Sequence, residues 1–248
     1  MGKVAEMGSA IGWGALAASS LVIGAALSFA RRWPQQQVGY VLAFGAGALI
    51  SAVSFELAAE GIAISGAGYT GVGLAVGALA YYLLDGLISR RMSTGRGRRG
   101  RAEGSSSGTA LALGAFLDGI PEQLVLGIGI AGGAGVGISL LVAIFVSNLP
   151  ESLGSANDMS EAGRSREAIL RLWALVAAIC IVATVVGYLA ADAVSADARA
   201  AIDGFAAGAL LVMLIDSMIP DARKDAGRAA GLVTVLGFAV AAGLSSLD

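Results

Sequence analysis

The chain has 248 residues, 56% of them hydrophobic and 14% charged, with a mean hydropathy of +0.79. A soluble domain carries about 25% charged residues, so this composition excludes an ordinary soluble globule and points to an all-α integral membrane protein. The net charge of −2 carries no message as a total, and the absence of histidine excludes histidine metal sites, histidine proton relays and Ser-His-Asp catalysis.

A membrane-spanning helix needs about 20 largely apolar residues. Taken in chain order, such stretches fall at about 11–30, 38–60, 62–84, 109–131, 136–158, 172–191, 202–218 and 229–247. The stronger positive charge, Arg31 and Arg32, follows the first rather than preceding it, which suits a retained helix better than a cleaved signal. Residues 89–108 are rich in arginine and end in Gly104-Ser105-Ser106-Ser107-Gly108, the composition of a flexible loop. Gly132-Gly133-Ala134-Gly135 is a short turn, so the fourth and fifth spans form an antiparallel hairpin. The single Cys180 lies in an apolar run and reads as a packing residue. Eight spans leave no room for a soluble domain, and residues 1–248 form one transmembrane bundle.

Charge sets the orientation. With both termini outside, the inward loops hold fourteen of the sixteen Lys and Arg residues and leave only Lys3 and Arg199 on the other side. This is the positive-inside pattern of a multi-pass protein of the plasma or inner membrane. The basic loop is a topology determinant near anionic lipid, and it lacks the interleaved aromatics that nucleic-acid binding would need.

Two short stretches break the apolar pattern: Leu117-Asp118-Gly119-Ile120-Pro121-Glu122-Gln123 and Val146-Ser147-Asn148-Leu149-Pro150-Glu151-Ser152. An ionisable residue at mid-membrane costs roughly 2.5–3.5 kcal/mol, and proline removes a backbone hydrogen bond. Counted from Thr109 at 1.5 Å per residue, Asp118 lies roughly 14 Å and Glu122 roughly 20 Å into the membrane. They are i and i+4 on one helix face, as are Ser147 and Glu151, with Asn148 beside them. Pro121 and Pro150 free the carbonyls of Leu117 and Val146. Together these groups form an all-oxygen cation site from Asp118, Glu122, Ser147, Asn148 and Glu151. Glu56 and Glu60 toward one end, and Asp158, Asp216 and Asp221 toward the other, extend it into a candidate cation path. Oxygen ligands suit manganese, magnesium, calcium or ferrous iron better than zinc.

The paired Pro-Glu motifs on the fourth and fifth of eight spans, with a basic loop before them, resemble the ZIP family of divalent-metal transporters. In that family the fourth helix carries His-Asn-x-Pro-Glu and the fifth a related motif. Here Asp118, Gly119 and Ser147 replace the usual histidine, asparagine, and histidine or glutamine. Ser54 to Glu60 and Met213 to Asp221 resemble the family's second- and seventh-helix motifs. The resemblance implies a transporter moving Zn, Fe or Mn ions toward the cytoplasm by alternating access, with the metal as substrate, no cofactor, and a homodimeric assembly. The alternative is a metal-binding membrane protein without transport, either a sensor or an inactive member. An enzymatic role is not expected: an aspartyl protease dyad of Asp85 and Asp118 would need both at the midplane, and Asp85 lies near the end of its span.

Overall fold

The structure, a computed structural model, describes residues 2–31, 33–94, 119–131 and 138–246. There is no strand among them. The helices are α1 (Gly2–Leu27), α2 (Gln35–Ala52) continuing through a π-helical segment (Val53–Ala59), α3 (Glu60–Thr94), α4 (Gly119–Ala131), α5 (Ile138–Glu161), α6 (Arg166–Ala190), α7 (Ala196–Met213) continuing through a second π-helical segment (Leu214–Met218), α8 (Ile219–Ala226) and α9 (Ala229–Ser245). They overlie the described parts of the spans expected from hydropathy. The arginine-rich loop from residue 95 onward, the first half of the fourth span with Asp118, and the Gly132–Gly135 turn lie outside the described residues.

Among the described residues, four stretches are long and apolar enough to cross a membrane: Met7–Leu27, Gln35–Leu87, Arg166–Ala193 and Ala196–Ala226. The second runs 53 residues, roughly 80 Å of helix against a hydrocarbon core of ~30 Å, so it must double back. It does so at Ser65 (φ −145°, ψ 18°) and Gly66 (φ 81°, ψ 169°), a few residues beyond the boundary expected at 60–62. Gly66 adopts a positive φ that side-chain-bearing residues avoid. Ser165 and Ser195 start α6 and α7 by accepting the amides of Ala168 and Ala198 at 3.3 and 3.2 Å, the usual N-cap bond.

α3 packs on α7, α2 on α5, α8 and α9, and α1 on α5 and α6. In the α3–α7 pair two glycines on each helix face the other's backbone. A Cβ at Gly73 would stand 2.1 Å from the Ala201 carbonyl oxygen, and one at Gly77 2.0 Å from that of Phe205. Reciprocally, a Cβ at Gly204 or Gly208 would stand 2.1 or 2.0 Å from the carbonyls of Thr70 or Leu74. The residue numbers rise together on both helices, so α3 and α7 are parallel. Small residues at such spacing let helix backbones approach where lipid offers no hydrophobic drive. The outward faces carry Val72, Val76 and Leu79 on α3, Val182 and Val186 on α6, and Leu232, Val235 and Leu236 on α9, all exposed. A soluble monomer would not leave so much apolar surface open.

The two ends of the bundle differ in charge. At one end the turn after α1 meets the start of α6, with Arg166 over the Phe29 ring at 5.3 Å. Gly39 near the start of α2 meets Asp225 and Ala226 there. Arg31, Arg164, Arg166, Arg223, Lys224 and Arg228 belong to these turns and helix ends. At the other end Arg199 pairs with Glu60 at 2.6 Å, Ser65 donates to Asp197, and Ser245 donates to Glu56 at 2.5 Å. This end is acidic.

Replacing Gly204 by leucine is expected to cost about 3 kcal/mol or abolish folding, since the side chain would overpack a backbone contact. Gly71→Leu, where a Cβ meets open space, is expected to be near neutral. Thermal unfolding of the two variants in detergent checks the difference.

Candidate functional site

Most of the buried polar side chains among the described residues lie on α4, α5 and α6. Glu122 is 2% exposed, Ser147 and Asn148 are 1% exposed, and Gln123, Ser152, Ser155 and Thr184 are fully enclosed. α4 presents Glu122 and Gln123, and α5 presents Ser147, Asn148 and Glu151. Glu122 and Glu151 lie within electrostatic range of each other. Two carboxylates side by side in an apolar interior are unfavourable unless positive charge sits with them. Among the described residues no basic side chain is placed against the pair, and the ion pairs Arg171–Glu167 and Arg199–Glu60 lie at helix ends.

Several polar atoms here lack hydrogen-bond partners: Glu122 Oε2, Gln123 Nε2 and Asn148 Nδ2. Buried polar groups in folded proteins are nearly always paired; of these three only the Glu122 oxygen can accept a cation, the two amide nitrogens being donors. Gln123 Oε1 accepts from Thr184 Oγ1 on α6, which ties α4 to α6. Ser147 Oγ donates to the Ile144 carbonyl at 3.0 Å, and Ser152 Oγ donates to the Asn148 carbonyl at 2.9 Å. Those hydroxyls satisfy α5 locally.

Pro150 lies inside α5 and supplies no amide to the Val146 carbonyl. Gly45 of α2 lies against that carbonyl: a Cβ there would stand 3.2 Å from it and 3.2 Å from Ser147 Cα. α2 therefore closes one side of the site at the level of Ser147. Cys180 of α6 is fully buried, within electrostatic range of Glu122, and its Sγ would be 2.8 Å from a Cβ at Gly119. The thiol packs, as expected, but it also places the chain's single cysteine within electrostatic range of Glu122. Among the described residues no three Asp, Glu, Cys or His side chains are grouped to hold a metal. Of the five residues expected in the site, Glu122 lies on α4 and Ser147, Asn148 and Glu151 lie on α5, with Glu122 and Glu151 within electrostatic range of each other, and Asp118 lies outside the described residues.

The outlying acids have different settings. Glu56 and Glu60, expected on one helix face, diverge: Glu56 accepts from Ser245 of α9, while Glu60 pairs with Arg199 of α7. Glu56 sits in the first π-helical segment, whose wider turn rotates the following side chains out of α-helical phase. Asp216 lies exposed in the second π-helical segment, Asp221 is half-buried after Pro220, and Asp158 is half-buried near the end of α5. Sequence reasoning missed Gln123 and Thr184, and it missed Asp203, which is 2% exposed on α7 with its Oδ2 unpartnered. An aspartate inside an apolar span was the available signal for the last.

Thr184→Val removes the donor to Gln123 while keeping shape, and it leaves a fully buried amide unpaired. A loss of about 1–3 kcal/mol is expected, measurable by thermal unfolding in detergent.

The chain matches no family model. Over 213 residues, 84% of its length, it is 28% identical to an Arabidopsis thaliana protein that carries the name "Putative zinc transporter". The aligned part is 34% of that protein, so the chain spans about a third of its relative's length. What the comparison establishes is similarity in sequence, across most of this chain, to a protein named for zinc transport.

Proposed function

We propose that this chain is a multi-pass divalent-metal transporter of the ZIP type, carrying Zn, Fe or Mn ions through a site between α4 and α5. The observation that carries the reading is the buried Glu122, with an unpartnered oxygen, beside Glu151 and the buried Ser147 and Asn148 in an otherwise apolar helical bundle. A divalent ion supplies the positive charge that this pair lacks and gives the spare oxygens a partner. The similarity to a protein named for zinc transport supports the same class.

In this reading Glu122 and Glu151 are the charged ligands. Asp118, one helical turn before Glu122 in sequence, is the third. Asn148 supplies its amide oxygen, and Ser147 and the carbonyl freed by Pro150 line the site. The ion approaches from the acidic end, loses water to the carboxylates, and leaves toward the basic end, which faces the cytoplasm of a plasma or inner membrane. The chain acts as a homodimer in this scheme. Cys180 beside Glu122 places a soft donor near the oxygen set, which favours zinc or cadmium more than oxygen alone would.

The test is uptake into proteoliposomes, comparing Mn²⁺, Fe²⁺, Zn²⁺ and Cd²⁺ for the unmodified protein and a Glu122→Gln/Glu151→Gln double variant. Saturable uptake that falls to background in the variant is the expected outcome. Well-folded protein that moves none of the four metals would instead make it a metal-binding membrane protein without transport.

A further inference from the structure

Glu60 and Arg199 meet at the acidic end, where the first π-helical segment packs on α7. Arg199 spends one Nη2 donor on Glu60, while its buried Nε has no acceptor. One turn further along α7, Asp203 is 2% exposed, its Oδ2 has no hydrogen-bond partner, and it lies within electrostatic range of both Glu60 and Arg199. Arg199 also lines a cavity of about 290 Å³ with Asp192, Ile64 and Ile128. That volume admits several waters.

Arg199 is thus paired with one carboxylate, within electrostatic range of a second, without an acceptor for its Nε, and at the edge of a cavity with room for several waters. Its side chain is 26% exposed, so it can withdraw toward the cavity without disturbing the core. We infer that Glu60 and Asp203 form an outer docking site for a hydrated divalent cation, which Arg199 occupies as an internal competitor until the cation displaces it. Two carboxylates do not strip a divalent ion, so the cation keeps most of its water, as small hard cations do on sites with few charged ligands. The site is separate from the α4–α5 pair. Its place as the first stop on a transport path rests on the reading proposed above, whereas the binding itself does not.

The test is Mn²⁺ binding, followed by loss of the free-ion electron paramagnetic resonance signal, to full-length protein in phosphatidylcholine nanodiscs. A Glu122→Gln/Glu151→Gln background removes the inner carboxylates. A weak Mn²⁺ site is expected to persist there, to tighten about fivefold with Arg199→Gln, and to weaken by at least that factor with Asp203→Asn, the scale of one partly exposed ion pair. Loss of all Mn²⁺ binding in the background variant would overturn the inference. So would residual binding indifferent to Arg199→Gln, the variant that decides the matter alone should Asp203→Asn fail to fold. A protein that shows these affinity shifts yet moves no metal into liposomes would refute transport and leave the docking site standing.

Discussion

Helices in a bilayer gain nothing by hiding apolar surface from lipid, so close backbone approach must hold them together. Here that approach depends on glycines whose missing side chains let a neighbour's carbonyl take their place. The α3–α7 pair shows it twice in each direction. The same device recurs where Gly127 of α4 meets Thr184 of α6 and Gly187 of α6 meets Leu124 of α4. The latter contact fixes the height of Glu122 and Gln123 relative to Thr184 and Cys180. The helix packing and the polar site therefore share one cause.

The site exploits that rigidity. A carboxylate without a counter-charge is tolerated in an apolar interior only when the surroundings cannot rearrange to expel it. Glu122 sits on a helix clamped to α6 by backbone contact and by the Gln123–Thr184 hydrogen bond. Glu151 sits one residue beyond the proline that loosens α5 and little more than one turn from residues pressed against α2. One half of the pair is held firmly and the other stands beside a weakened stretch of helix, an arrangement suited to a site that must both grip a ligand and let it go.

Much of this was legible in the sequence, because hydropathy and the Pro-Glu repeats speak directly to burial and backbone. Helix fills the described parts of the apolar runs, and Glu122, Ser147 and Asn148 are buried within it. What escaped has physical reasons. The chain reverses at Ser65–Gly66 within a continuous apolar run, where composition offers no break. The divergence of Glu56 from Glu60 follows from a π-helical turn, which residue counting at 3.6 per turn cannot see. Arg199, which the charge count places outside with Lys3, pairs across 139 positions of sequence. Asp203 was hidden by its own apolar neighbours. Long-range pairs and local changes of helical pitch are properties of the assembled bundle.

The parallel run of α3 and α7 has a topological consequence. Two helices side by side and pointing the same way cannot be joined by a simple hairpin; the chain between them must return to the starting end. α3 leads away from the acidic end and α7 sets out from it, so everything between Thr94 and Ala196 makes one net passage back, an odd number of crossings. α5, antiparallel to α2, and α6, which begins beside the end of α5, cancel each other. α4 is the third described helix between them, and it gives the odd number that a parallel α3 and α7 require.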